Sequence, residues 1–198
     1  AGVNSYIAVR VTAYQGFVYN DIKKLNEFRE KLKTGATDYV YSEDNEYFRL
    51  YSGGFIPKGQ CQIIEGAVQI GNKVSAVGAS VSGKREKYTF QGIRRTAYRA
   101  YYGEGDTFVL ILYNTAGAQP VDVSCSKLFS SVKATANDNN SVTYVFTFKN
   151  PGLYWGYNVQ FSDNDLVLNL SHKPALSSGA QPLSGGKIVL DLGPGQTD

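Results

Sequence analysis

The sequence predicts a mainly β protein: a small barrel-like β domain with one helix, followed by a β-sandwich or open-barrel domain. Three observations carry this reading. The 198 residues include 15 Tyr, 10 Phe and 21 Gly, a composition suited to pleated strands and tight turns. Apolar and aromatic residues come in short alternating runs, with Gly, Asn, Asp and Pro concentrated between them. Helix-forming runs are scarce. With 42% hydrophobic residues the chain can fill packed interiors, and its length suits one or two domains, of which two small ones fit the pattern.

Residues 6–14 alternate β-branched and aromatic side chains and read as a strand. Next comes the predicted helix near 21–33. Asn20 or Asp21 can cap its first turn, Ile22, Leu25, Phe28 and Leu32 recur near the helical period, and Gly35 stands past the end as a C-cap. Residues 38–41, 47–51, 55–58 and 61–64 follow as short strands, separated by Glu43-Asp44-Asn45 and by the Gly53-Gly54 turn. Short strands and tight turns imply a strongly bent, barrel-like sheet over residues 1–65.

Residues 66–84 are small and polar-interrupted, which places a domain junction in or near them. The second unit, 74–173, contains strand patterns at 87–90, 94–102, 107–113, 141–148, 154–161 and 165–170. Their connections, 103–106, 136–140, 150–152 and 162–164, are turn chemistry. The two units are expected to fold separately. Residues 174–184 read as a Pro/Gly/Ser-rich linker. Beyond it, residues 187–190 form a short apolar run leaving through Gly193-Pro194-Gly195, as a buried strand does when it enters a tight loop.

Composition bounds the function. The net charge of +3, from 20 basic and 17 acidic residues, is too small to argue for nucleic acid and suits an anionic surface. No apolar stretch reaches the roughly 18–20 residues that a membrane-spanning helix needs. Met is absent, as expected of a chain that starts after a removed leader or at an artificial boundary. Cys61 and Cys125 lie far apart in apolar contexts and read as small buried hydrophobes.

Several segments carry a family resemblance. The terminal stretch, aligned on Asp191, Gly193, Gly195 and Asp198, resembles the opening strand and loop of the zinc-dependent N-acetylmuramoyl-L-alanine amidases of bacterial cell walls. Pro194 stands where that family has its first zinc-ligand His, and Leu192 and Gln196 also depart from the pattern. Proline has no lone pair to offer a metal. Residues 33–40 and 47–58 resemble the bacterial Src-homology-like barrels that precede wall hydrolases, with the 21–33 insert as a departure. Residues 144–148, Asn150-Pro-Gly152, Trp155-Gly-Tyr157 and 166–170, ending at Lys173-Pro174, resemble the AMIN-type β domain ahead of the amidase domain. The resemblance implies a non-catalytic, wall-targeting or regulatory region of an exported amidase, secreted to the cell wall or cell surface. It implies peptidoglycan or an anionic wall polymer as partner, no nucleic acid and no membrane span. No cofactor is expected in this chain, and zinc only in a complete amidase domain. The alternative is a surface structural or adhesion protein whose tail is a decayed amidase remnant.

Catalytic chemistry is hard to find in residues 1–184. The single histidine, His172, reads as a surface residue, because no orienting partner or nucleophile is recognisable beside it. No close-spaced set of His, Cys and carboxylates suggests a metal, and Asn137–Asn140 and Asp163–Asp165 read as hairpin turns rather than calcium loops. Recognition remains. Residues 84–99 hold six basic side chains, of which Arg94, Arg95 and Arg99 lie next to Tyr98 and Tyr101. Arginine grips phosphates and carboxylates in bidentate fashion, so these five residues are candidate wall contacts, with a solvated face as the plainer alternative. Read as one strand, 94–102 puts Arg95 and Arg99 on one face and Arg94 and Tyr98 on the other. Tyr154 and Trp155 are further candidates: a flat aromatic could stack on a sugar and Gly156 would allow close approach, although Trp at a strand start is more often core.

Overall fold

The computed structural model describes residues 7–66 and 70–175. The tail at 185–198, with Pro194, and most of the 174–184 linker lie outside the described residues. The first part holds β1 (Ala8–Val11), β2 (Gln15–Tyr19), β3 (Phe28–Lys33), β4 (Thr37–Glu43), β5 (Tyr47–Leu50), β6 (Phe55–Pro57) and β7 (Cys61–Ile64). The second holds β8 (Asn72–Lys73), β9 (Ala76–Ser82), β10 (Arg85–Gln91), β11 (Tyr98–Gly103), β12 (Thr107–Tyr113), β13 (Thr115–Ala116), β14 (Phe129–Asn137), β15 (Ser141–Phe148), β16 (Tyr154–Ser162) and β17 (Asp165–His172). The described residues are thus mainly β, and their only helical pieces are single 3₁₀ turns at Lys58–Gln60 and Pro151–Leu153.

The expected helix near 21–33 is not formed. Residues 22–27 make turns and 28–33 are β3, paired antiparallel with β2. The helical spacing of Ile22, Leu25, Phe28 and Leu32 would have put all four on one buried stripe, yet Leu25 is 50% and Phe28 46% exposed. Alternation wins because it turns Glu30 and Leu32 into the interior together, and Glu30 finds a partner there. The seven strands of the first part form one sheet in the order β3-β2-β6-β5-β4-β1-β7, which does not close into a barrel.

The second part is a sandwich of two four-stranded antiparallel sheets, β16-β17-β10-β9 and β11-β12-β15-β14. Aromatic pairs join them face to face: Tyr88 with Phe146 at 5.1 Å between ring centroids, and Phe90 with Tyr144 at 4.8 Å. Period-2 sequences make this possible, since β15 turns Val142, Tyr144, Phe146 and Phe148 inward and β17 turns in Leu166, Leu168, Leu170 and His172. The predicted hairpins hold, with Asp106, Asn140 and Asp163 supplying the left-handed residues that such turns need.

His172 is buried, contrary to the sequence reading, and its Nε2 lies 2.9 Å from Glu86 Oε1. Glu86, on β10, is fully buried and accepts from Tyr88 Oη (2.9 Å), Ser126 Oγ (2.6 Å), Lys127 N (2.7 Å) and Leu128 N (2.9 Å) as well. Burial pushes its carboxyl up, but the donors from Ser126, Lys127, His172 and Tyr88 outweigh it and hold the group below the ordinary carboxylate value. The orienting partner of His172 sits 86 residues away in the chain, a distance over which no local pattern could announce it.

The two parts share one hydrophobic core, running from Val9, Leu32 and Ile56 to Ala97, Tyr98 and Leu112. Polar contacts lace the junction. Thr37 bridges Thr96 in parallel, Ala100 N donates to Glu30 Oε2 (2.7 Å), and Asn114 Nδ2 donates to Asp38 Oδ1 (3.0 Å). Burial raises Glu30 from 4.5 to about 7, against the Ala100 and Lys31 amides and the charges of Arg99 and Arg29; Asp38 is raised for the same first reason.

Two outcomes are expected. Replacing Glu86 by Ala should strand Ser126, the 127–128 amides and His172, at a cost of about 3–5 kcal/mol in guanidinium unfolding. Because the folded carboxyl is depressed, this contribution is present above the ordinary pKa and lost as acidification passes the folded one. Glu30 has the opposite sign. Its folded pKa is raised, so stability is full below 4.5 and falls as pH rises toward 7. Over that window the wild type should lose about 3 kcal/mol more than Glu30→Gln. Parallel pH profiles would contradict the assignment.

Candidate functional site

Two distant parts of the chain bring three arginines to one cleft. β1 reads Ala-Val-Arg-Val with Val9 and Val11 buried, so alternation sends Arg10 outward. Arg94 and Arg95 lie in the passage from β10, in one sheet of the sandwich, to β11, in the other. That passage is pinned at both ends. Arg94 N donates to Asn72 Oδ1 (2.8 Å), and Thr37 donates to Arg95 O from both its amide (3.2 Å) and its hydroxyl (2.6 Å). Thr37 is also the cross-strand neighbour of Arg10, which links the third arginine to the same bridge.

The Arg95 side chain lies across the β3–β4 turn. Gly35 has φ +88° there, which favours glycine, and a Cβ on it would stand 2.5 Å from Arg95 Nη1, so a larger residue would also displace the guanidinium. Gly35 thus serves a strand turn beneath a cation, not a helix end.

The cleft has a volume of about 530 Å³, and its charged lining is Arg10, Arg94, Arg95 and Asp163. None of the three arginines is in an ion pair among the described residues. Three guanidinium groups facing one carboxylate around an open hollow favour an anion. A phosphate or carboxylate could take bidentate hydrogen bonds there, in competition with solvent, because Arg10, Arg94 and Arg95 are exposed.

The sequence-predicted candidates are divided by the fold. Arg94 and Arg95 belong to the cleft, but they precede β11 and do not continue its alternation, which corrects the reading of 94–102 as one strand. Tyr98 is buried at the junction, where its hydroxyl donates to Lys31 O (3.1 Å) and accepts from Lys33 N (3.2 Å), so it cannot touch a polymer. Arg99 is half-buried with its guanidinium 4.4 Å from the centroid of the half-buried Tyr101 ring, and it does not line the cleft. Tyr154 packs at the sandwich edge against Phe148, at 5.3 Å. Trp155 is 63% exposed, so the core reading of it is corrected.

Arg10 was not among the candidates. Its only sequence signal is an arginine between two valines, which marks an outward position and nothing about what it meets. Among the described residues no group of three His, Cys, Asp or Glu could hold a metal. Cys61 and Cys125 are both free; burial raises the Cys61 thiol to about 12, away from thiolate chemistry, while Cys125 is exposed and not a buried hydrophobe. No helix among the described residues is long and apolar enough to cross a membrane. No protein-family model, curated protein or solved structure matches this chain.

Proposed function

We propose that this chain is a non-catalytic, polymer-recognising region of an exported N-acetylmuramoyl-L-alanine amidase, and that the Arg10–Arg94–Arg95 cleft receives an anionic group of the cell wall. One observation carries the proposal: three arginines from two parts of the fold converge on an open cleft that holds a single carboxylate, and none of them is in an ion pair among the described residues. A solvated basic face would not need a threonine tying the backbone of Arg95 to the strand that carries Arg10. The family resemblance supplies the polymer. Peptidoglycan and its attached chains carry carboxylates and phosphates, the groups arginine holds best.

The reading predicts co-sedimentation of the purified chain with wall sacculi at low salt, weakening as ionic strength rises. Arg10→Ala with Arg94→Ala should remove roughly 1–3 kcal/mol of charge-assisted hydrogen bonding, about one to two decades of affinity. Lysine at both positions should recover only part of the loss. Arg95 is left in place because it packs on Gly35. Equal sedimentation of wild type and the double alanine variant at both salt concentrations would refute the cleft as the binding site.

A further inference from the structure

A second surface has the chemistry of a binding site, and it takes a different kind of ligand. β16 pairs with β17 through a bulge: Tyr154 stands opposite His172 and Gly156 opposite Ser171, leaving Trp155 as the extra residue. The bulge leaves the indole outside a sheet whose other aromatic side chains pack against rings of the opposite sheet. Trp155 is the only tryptophan of the chain, and it rests at the rim of a shallow groove of about 460 Å³. The groove floor is the outer face of β10, β17 and β16, made by Arg85, Asn158, Gln160, Asn169 and Ser171.

Register explains this composition. Asn158 stands opposite Asn169, and Ser171 opposite both Gly156 and Arg85, so amides, a hydroxyl and a guanidinium form a contiguous polar patch. None of their side chains makes a hydrogen bond to another described residue. At Gly156 a Cβ would meet no atom within 4 Å, so the backbone beside the indole is open to close approach. The volume is within the range of about 300–1,000 Å³ typical of small-ligand clefts.

We infer that this groove binds an uncharged pyranose ring of a glycan, its apolar CH face on the Trp155 indole and its hydroxyl or acetamido groups on Asn158, Asn169 and Gln160. A sugar ring has one apolar face and a polar rim, and an exposed indole bordered by amides, with Tyr157 beside it in the lining, matches both. A protein partner would instead require a contiguous apolar centre around the tryptophan. The groove is separate from the arginine cleft. Trp155 and the cleft residue Asp163 are at opposite ends of β16, roughly 25 Å apart at about 3.3 Å per residue. One extended polysaccharide could therefore reach both.

The single tryptophan makes a direct test available. With the full chain in molar salt, which screens the arginine cleft, titration with the hexamer of N-acetylglucosamine should give a saturable change and blue shift of tryptophan emission. By calorimetry, Trp155→Ala should weaken binding at least about tenfold, Trp155→Tyr should keep part of it, and Asn169→Ala should lose several-fold. Arg10→Ala with Arg94→Ala should bind the oligosaccharide as the wild type does, so that failure here and failure of the wall-polymer reading are told apart. No change of emission up to about 10 mM sugar, or equal affinities for wild type and Trp155→Ala, would overturn the inference. An emission response to a wall-associated protein but not to the sugar would overturn it as well.

Discussion

A fully buried carboxylate, Glu86, is the constraint on which the second half of this protein depends. It stands on β10 between the two sheets and gathers the hydroxyls of Tyr88 and Ser126, the amides of Lys127 and Leu128, and the imidazole of His172. An ion in that position would be prohibitive without such donors, and with them it specifies a geometry. The segment that enters β14 must lie against β10, and β17 must run in the register that turns His172 inward. The same register sets Ser171 outward, opposite Gly156, with Trp155 as the extra residue of the bulge beside it.

The junction of the two parts obeys the same logic with the opposite electrostatics. Glu30 and Asp38 are buried with fewer donors, and burial lifts both carboxyls above their ordinary values. Their hydrogen bonds with Ala100 and Asn114, the Tyr98 hydroxyl on β3, and the Thr37–Thr96 bridge hold the open sheet against the sandwich. The arginine cleft exists only because of this closure. Arg10 comes from the first part and Arg94 and Arg95 from the second, and none of them alone would distinguish an anion site from ordinary surface charge.

Where local pattern decides structure, the sequence was legible. The strands at 107–113 and 141–148 are bounded as their alternation implies, and turn chemistry at 103–106 and 162–164 marks real hairpins. The helix near 21–33 failed because its residues satisfy two periods at once, and tertiary pairing of Glu30 with Ala100 chose the strand. His172 was misread because its partner lies across a sheet, and Trp155 because the general preference of a strand-start tryptophan for the core carries no sign of the bulge at which this one stands exposed. Arg94 and Arg95 were visible as charge density. Their separation from Arg99 and Tyr98, and their meeting with Arg10, are properties of a chain crossing between sheets that no spacing encodes.

The central claim is that the two parts of the fold jointly build an anion site. The most direct measurement is backbone amide NMR of the isotope-labelled chain during titration with a soluble poly(glycerol phosphate). The expected result is a salt-sensitive set of shifts confined to Arg10, Gly35, Thr37, Asn72, Arg94 and Arg95, drawn from both parts. Shifts that avoid these residues and gather elsewhere, such as around Tyr41 and Arg49 on the first sheet, would contradict it.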